Sequence, residues 1–555
     1  MSSSPNERPS SARPRIAVFA GPTATILNTP DLVTSNKART RHGLPVGPER
    51  FDMLRPQRLA RPVTVYVEAF SAHPLEADAS DLYAPPDGWL DSDGGFHDER
   101  PSGPAIPVFA IELLPEDGLY PLPYMARQLD GSAWEEAGAD PVASRQTFLP
   151  DARRLYEEIE RLGVSDLGVP VELTSRADFE FFRAAPSGGY TTGADGERAG
   201  RDFFSYYPYH LQSEPGLNHL AHVTNRVQGV LDTGSFSGVQ WLEGSPTIEE
   251  TLYWLGLLID THVPIVGHTA QRRHGSTSAD GDRNIVDGVK YIASEIALGN
   301  DGDDQVGAVV IVDELAYTAR DVTKVDARPG GYEVAGGHGG IVADLGGYGP
   351  PQLTFRPARN HTHCSHVRLP ELPTEVQGVT GSLDGGIAIT AVKTKDENGL
   401  VPDAMPVVTL TKYGRYALAQ LGEDGVPSAD DEIELFARIN ANLAQNALSG
   451  IVCEGMSPFA MAEPTKNAAL SVAIYSGMPV VRVGRGNTGG MAYRTDPAFV
   501  SGNNLTATKA RILLMAALLK LGALPPAKDP FRPTPAERRA TAEAVIQYQE
   551  LFDTH

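Results

Sequence analysis

Short apolar runs alternate with amphipathic stretches along much of the chain, and their spacing predicts an α/β protein. RIAVFAG at 15–21 is an apolar run closed by Gly-Pro, the pattern of a buried strand that leaves into a loop. From residue 218 the alternation becomes regular. Helical periodicity over 218–231 is followed by a strand over 238–242, a helix over 248–261, a strand over 263–267, a helix over 283–298 and a strand over 307–312. Strand and helix in turn imply a mostly parallel sheet covered on both faces. A second series begins near residue 405, where PVVTLTKY, GIVCEG and PVVRVG read as strands separated by helices over 432–447, 465–476 and 506–521. Between the two series, 368–404 contains Pro and Gly and a predicted hairpin, GIAITAVKTKDENG.

This pattern divides the chain into a tail over 1–15, an N-terminal α/β domain over 16–375, a linker or hairpin over 376–404 and a smaller C-terminal α/β domain over 405–555. The N-terminal domain carries an insertion over about 71–205. VTVYVEAF at 63–70 precedes it as a second strand, and 71–150 is rich in Pro, Gly and Asp, which predicts an irregular surface excursion. A helix near 151–162 and the Gly-rich GGYTTGADGERAG complete it; the aromatic DFFSYYPYH at 202–210 reads as core packing.

Composition narrows the classes. A chain of 555 residues with 41% hydrophobic and 21% charged content is long enough for two or three well-filled domains and is not disordered. Its net charge of -23, with 70 acids against 47 Lys and Arg, argues against a nucleic-acid partner. No apolar run reaches the length of a membrane span, and MSSSPNERPSSARPR lacks the apolar core of a signal peptide, so the cytoplasm is the expected location. Cys364 and Cys453 are too few for a disulfide framework or a cysteine metal site.

Candidate chemistry collects in loops at the carboxyl ends of strands, where ligands bind in open α/β sheets. Three such loops carry hydroxyls: Gly21-Pro22-Thr23-Ala24-Thr25, Gly244-Ser245-Pro246-Thr247 and Asp321-Val322-Thr323-Lys324. Hydroxyls beside a lysine suggest nucleophilic amide chemistry, although Ser and Thr in such loops more often cap helices. Glu249 and Glu250 open a helix, where the dipole alone explains them.

GSPTIEETLYW, STSADGDRNIVDGV, ARDVTK, RPARNHTH and FVSGNNLTATKARILLMAALLKLG, in this order, resemble the bacterial-type L-asparaginase family over 205–365 and 405–525. The resemblance implies a two-domain fold, dimers or dimers of dimers with active sites at subunit boundaries, and hydrolysis of side-chain amides without metal or cofactor. It places the first catalytic threonine at Thr25, with Thr23 the alternative. The family's assisting tyrosine has no counterpart between Thr25 and Gly43, which leaves Arg41, His42 or a tyrosine from elsewhere. Ser213 and Glu214 correspond to the pair that holds the substrate's α-groups. Ser245 replaces the second threonine, Pro246 replaces the adjoining aspartate, and Lys324 is kept. Asp496 is the candidate acid from the neighbouring subunit. The lost aspartate implies a broken α-ammonium clamp, with Glu214 as a source of replacement charge, and a carboxamide or cyclic amide substrate; ordinary asparagine hydrolysis and a non-catalytic scaffold are the alternatives. The Gly-rich VGRGNTGG lacks the ending of a phosphate loop. His361, His363 and His366 are spaced like metal ligands, but they fall on a structural segment of the family with no further ligand run nearby, so no metal is expected.

Overall fold

The computed structural model describes residues 13–21, 216–272, 278–328, 330–334, 339–346, 349–413, 432–485 and 492–555, with Asp424 and short pieces between 26 and 183. Two sheets organise these residues. The larger is built from β1 (Arg15–Ala20), β2 (Asp178–Arg183), β3 (Gly238–Leu242), β4 (Ile265–His268), β5 (Val309–Val312), β6 (Leu315–Thr318), β9 (Ile341–Asp344) and β10 (Gln352–Leu353), in the order β2-β1-β3-β4-β5-β6-β9-β10. The pairs from β2 to β5 are parallel, and β5-β6, β6-β9 and β9-β10 are antiparallel. Helix α1 (Leu217–Leu231) leads into β3, α2 (Ile248–Leu258) joins β3 to β4, and α3 (Gly281–Ala293) joins β4 to β5.

Every residue of β3, β4 and β5 is buried, as helices on both faces require. The pleat sorts the side chains. Ala17, Phe19, Val239 and Trp241 pack with Leu252, Trp254 and Leu258 of α2, while Ile16, Val18, Val266 and Val309 pack with Ile285, Val289 and Ile292 of α3.

Two further strands, β7 (Val322–Lys324) and β8 (Tyr332–Val334), form an antiparallel pair with Lys324 opposite Tyr332. The DVTK segment therefore follows the antiparallel return strand β6, not the parallel strand β5 as the sequence pattern implied. A tight turn at Asp313 and Glu314, both with positive φ, makes that return possible.

The second sheet is parallel throughout its four strands: β13 (Val407–Lys412), β14 (Ser449–Gly455), β15 (Val480–Gly484) and β16 (Val500–Ser501). Helices α4 (Ile433–Gln445), α5 (Pro464–Tyr475) and α6 (Ala507–Leu521) connect or cover it, and a capped helix α7 (Pro535–Thr554), not foreseen in the sequence, closes the described chain. The larger and smaller sheets together give the α/β architecture, with a larger, mostly parallel sheet and a smaller second one, that the sequence pattern implied. One apolar cluster runs from α2 into α6, so the two sheets share a core. Lys509 of α6 is buried at that junction, where its Nζ donates to the backbone carbonyls of Glu249 and Ala319, and burial lowers its pKa to about 8.

Two sequence expectations change. GIAITAVK is one strand, β12 (Gly386–Lys393), paired along its length with β11 (Glu375–Ser382), so the hairpin starts earlier than its apolar pattern suggested. The stretch after residue 71 is not simply irregular, because Val63–Val67, Gly88–Asp91, Phe96–His97 and Ala105–Leu113 form a four-stranded antiparallel sheet. Among the described residues no helix is long and apolar enough to cross a membrane.

Candidate active site

β1 and β3 are neighbours in the sheet, so the loops that leave them start side by side. The Gly21 amide donates to the Leu242 carbonyl at 2.7 Å, and a Cβ on Gly21 would lie 2.9 Å from Trp241 and 3.1 Å from the Glu243 carboxyl. Only glycine allows this approach. Thr23 and Thr25 follow directly in sequence, but they lie outside the described residues, as do Arg41, His42, Ser213 and Glu214.

Ser245 stands half-buried in the turn between β3 and α2. Its Oγ accepts a hydrogen bond from the Tyr332 hydroxyl at 2.8 Å. Tyr332 is the cross-strand partner of Lys324, so the two side chains leave the β7-β8 pair on one face. Lys324 Nζ donates to Gln271 Oε1 at 2.5 Å. The Gln271 side chain is also within electrostatic reach of the Tyr332 hydroxyl, while its buried Nε2 makes no hydrogen bond of normal length and angle among the described residues. Ser245, Tyr332, Gln271 and Lys324 thus form one cluster assembled from four segments.

Glu249 fixes this cluster. Its Oε2 accepts from Thr323 Oγ1 at 2.8 Å and its Oε1 from the Lys324 amide at 2.7 Å. The helix dipole alone therefore does not account for this buried carboxylate: it clamps β7 to the start of α2 and sets the height of Lys324. Glu250 instead reaches the second domain through Arg511 at 2.8 Å.

Burial raises the Tyr332 pKa well above the ordinary phenol value, so its proton stays on oxygen near neutrality. Tyr332 acts here as a donor that orients the Ser245 lone pairs, which leaves the serine's own proton to be given elsewhere. Pro246 is exposed and supplies a backbone carbonyl to the Glu249 amide at 3.0 Å, with no side-chain polar group. Asp496 caps its own turn by accepting from the Ala498 amide at 2.9 Å.

Sequence reasoning missed Tyr332, Gln271 and Glu243. Glu243 is buried at the end of β3, accepts from Trp241 Nε1 at 2.9 Å and adjoins Gly21. A carboxylate buried two residues before Ser245 was the available signal, since buried charge at a strand end needs a reason.

Residues 210–329, which include Ser245 and Lys324, match the family model described as Asparaginase, N-terminal. Over this segment the chain resembles the asparaginase family, as a divergent relative. Over 310 residues it is 26% identical to L-asparaginase 2 of Bacillus subtilis (strain 168), a match covering 54% of this chain and 66% of that protein. It is 25% identical over 312 residues to a glutaminase-asparaginase of Pseudomonas fluorescens biotype A, covering 54% of this chain and 69% of the relative. The chain therefore spans about two thirds of the length of these curated relatives. A solved structure titled as a probable cytoplasmic L-asparaginase from Campylobacter jejuni aligns with a TM-score of 0.47 at 17% identity, over 73% of this chain and 92% of that one.

Proposed function

We propose that this asparaginase-family chain is an amidohydrolase that cleaves a carboxamide or a cyclic amide by a hydroxyl nucleophile, with a substrate clamp altered at Pro246. The observation that carries this reading is the link from Ser245 through Tyr332 and Gln271 to Lys324. It supplies an oriented hydroxyl, a neutral donor and a cation within one half-buried cluster.

Thr25, or Thr23, is the nucleophile in this reading. Its oxygen bonds to the carbonyl carbon while its proton passes to Ser245 Oγ, which hands its own proton on, the Lys324 cation stabilises the developing negative charge, and the carbonyl oxygen becomes an oxyanion. Gln271 Nε2 and backbone N–H groups at the helix starts are the available donors to that oxyanion. Collapse breaks the C–N bond, the leaving nitrogen takes the proton, and water then hydrolyses the acyl ester to restore the hydroxyl. Glu243 or Glu214 supplies negative charge where the family has the aspartate that Pro246 replaces.

The assembly that goes with this reading is a homodimer or homotetramer, with Asp496 turned toward the neighbouring subunit's site; light scattering on the purified protein measures it directly. The chemistry is tested by product release from asparagine, glutamine, aliphatic amides, cyclic amides and imides, following ammonia and newly formed amine or carboxylate. Turnover of an amide without an α-amino group, with asparagine ignored, supports the altered clamp. Turnover of asparagine instead means that another carboxylate fills the role. Silence across the panel removes the catalytic reading and leaves a ligand-binding homologue.

A further inference from the structure

At the opposite, amino end of the strands, the loops leading into β4 and β5 meet the segment 361–366. His262, Asp303 and His363 converge there, each offering one ligand atom, and these atoms all lie within 4.8 Å of one another. We propose that these three residues form a binding site for one divalent transition-metal ion of the zinc class, with water completing the shell.

The donor set is chemically suited: two imidazoles and one carboxylate are common zinc ligands. A tetrahedral zinc site with bonds of 2.0–2.2 Å separates its ligand atoms by roughly 3.3 Å. His262 Nδ1 and Asp303 Oδ1 already stand 3.1 Å apart, and the His262 and His363 rings are stacked with centroids 4.5 Å apart. Small side-chain rotations therefore bring all three donors to one ion.

The tautomer of His363 is suited as well. Its Nδ1 lies 3.3 Å from the Thr261 carbonyl and 3.5 Å from Thr362 Oγ1, and in the tautomer that donates to the carbonyl Nε2 presents its lone pair. A second hydrogen bond of this kind orients the ring and sharpens metal ligation. Asp303 accepts the Nδ1 proton of His262, and a cation would take the place of that proton.

The backbones that carry the ligands are tied to one another. The Asp304 amide donates to the His262 carbonyl at 3.0 Å, and the Asp304 carboxylate accepts from the Val306 and Gly307 amides at 3.0 and 2.8 Å. Gly307, at φ 86°, leaves room for the His361 ring, which a Cβ would meet at 2.5 Å. Ser365 Oγ donates to the Leu257 carbonyl at 2.7 Å and pins the 361–366 segment to the end of α2. Metal binding would thus cross-link three separate stretches of chain at a solvent-accessible position, since the His262 side chain is 59% exposed.

The test is calorimetric titration of the full chain with Zn2+ after chelator treatment and dialysis. One saturable ion per chain is expected. His363→Ala and Asp303→Asn should each weaken it by about tenfold or more, because losing even a supporting group at a metal site costs on that order. His262→Gln, on an exposed side chain, should do the same without affecting the fold. His366→Ala, in the same histidine-rich segment but outside the cluster, should leave affinity unchanged. Absence of a saturable site overturns the proposal. So does a site that survives all three cluster variants or disappears with His366→Ala.

Discussion

The two ends of the larger sheet's strands carry polar clusters of opposite design. At the carboxyl end, where β3 leaves toward α2, Tyr332 is hydrogen-bonded to Ser245 and Lys324 to Gln271, and the buried Glu249 holds the cluster in place. At the amino end, His262, Asp303 and His363 sit in more open loops with one potential ligand atom each, all within 4.8 Å of one another. The first arrangement orders protons around a hydroxyl, and the second gathers lone pairs around a point. One sheet can support both because its strands are buried on both faces, so the chemistry is left to the loops at the two ends.

The contrast is broken most severely by removing the cation of the first cluster. Lys324→Ala is expected to lower amide turnover by about 100-fold or more, with an unchanged circular dichroism spectrum. Thr25→Ala should act similarly, and full turnover in both variants would refute the assignment of the reaction to this end of the strands. The same variants should leave zinc titration untouched, and His363→Ala should leave amide turnover untouched; cross-talk in either direction would mean that the two ends are not independent.

Lys509→Met comes next. It removes the donor to two buried carbonyls at the junction of the sheets, and each unsatisfied acceptor costs about 1–3 kcal/mol. Because one of those carbonyls belongs to Glu249, whose side chain clamps Lys324, the thermal midpoint and turnover should fall together. A lower midpoint with normal turnover would separate the junction from the site.

Tyr332→Phe is a smaller change. It deletes one neutral hydrogen bond, worth about 0.5–1.5 kcal/mol, so turnover should drop by roughly tenfold or less while KM is preserved. A loss comparable to that of Lys324→Ala would make Tyr332 a proton-transfer group instead of an orienting donor.

Acid should then weaken the fold by a modest amount. Burial depresses His268 to about 3, and both His219 and His555 to about 4, from an ordinary value near 6.5. Between those values the unfolded chain binds more protons than the folded one, so the stability these histidines contribute is fully present above pH 6.5 and is lost as pH falls toward 4 and below. Asp304, raised by burial to about 6, opposes this: its contribution is present below its unfolded value and lost as pH rises through 6. His361 is depressed to about 4 in the same way, and burial also raises Asp287 and Glu432; because the histidines lose most of their contribution between pH 6.5 and 5, the thermal midpoint at pH 5 should lie below that at pH 7.

The legibility of the chain follows the range of the interactions. The strand at 238–242 and the helix beginning at 248 were readable because burial on a regular element imposes a local period. Ser245 and Lys324 were readable through the motifs around them. Tyr332 was not, because YEV at 332–334 carries no mark that it will pair with VTK at 322–324 and turn its hydroxyl to a residue 87 positions away. Glu249 was assigned to the helix dipole, a correct local force that ignores the strand the carboxylate also holds. Asp496 was legible only by position in a motif, and its visible bond is to its own turn.

By itself, then, the sequence determined the α/β class, the two series of strands and helices, the acidic character and the motifs that place the chain in its family. These properties depend on the identity and spacing of residues close together in the chain. Only the tertiary structure decided that Ser245 and Lys324 share one cluster through Tyr332 and Gln271, and that His363 meets His262 and Asp303 instead of its neighbours His361 and His366. Such encounters depend on strand order and on which loops lie at the same end of the strands. They are fixed by the burial of the whole sheet between its helices, and no local period records them.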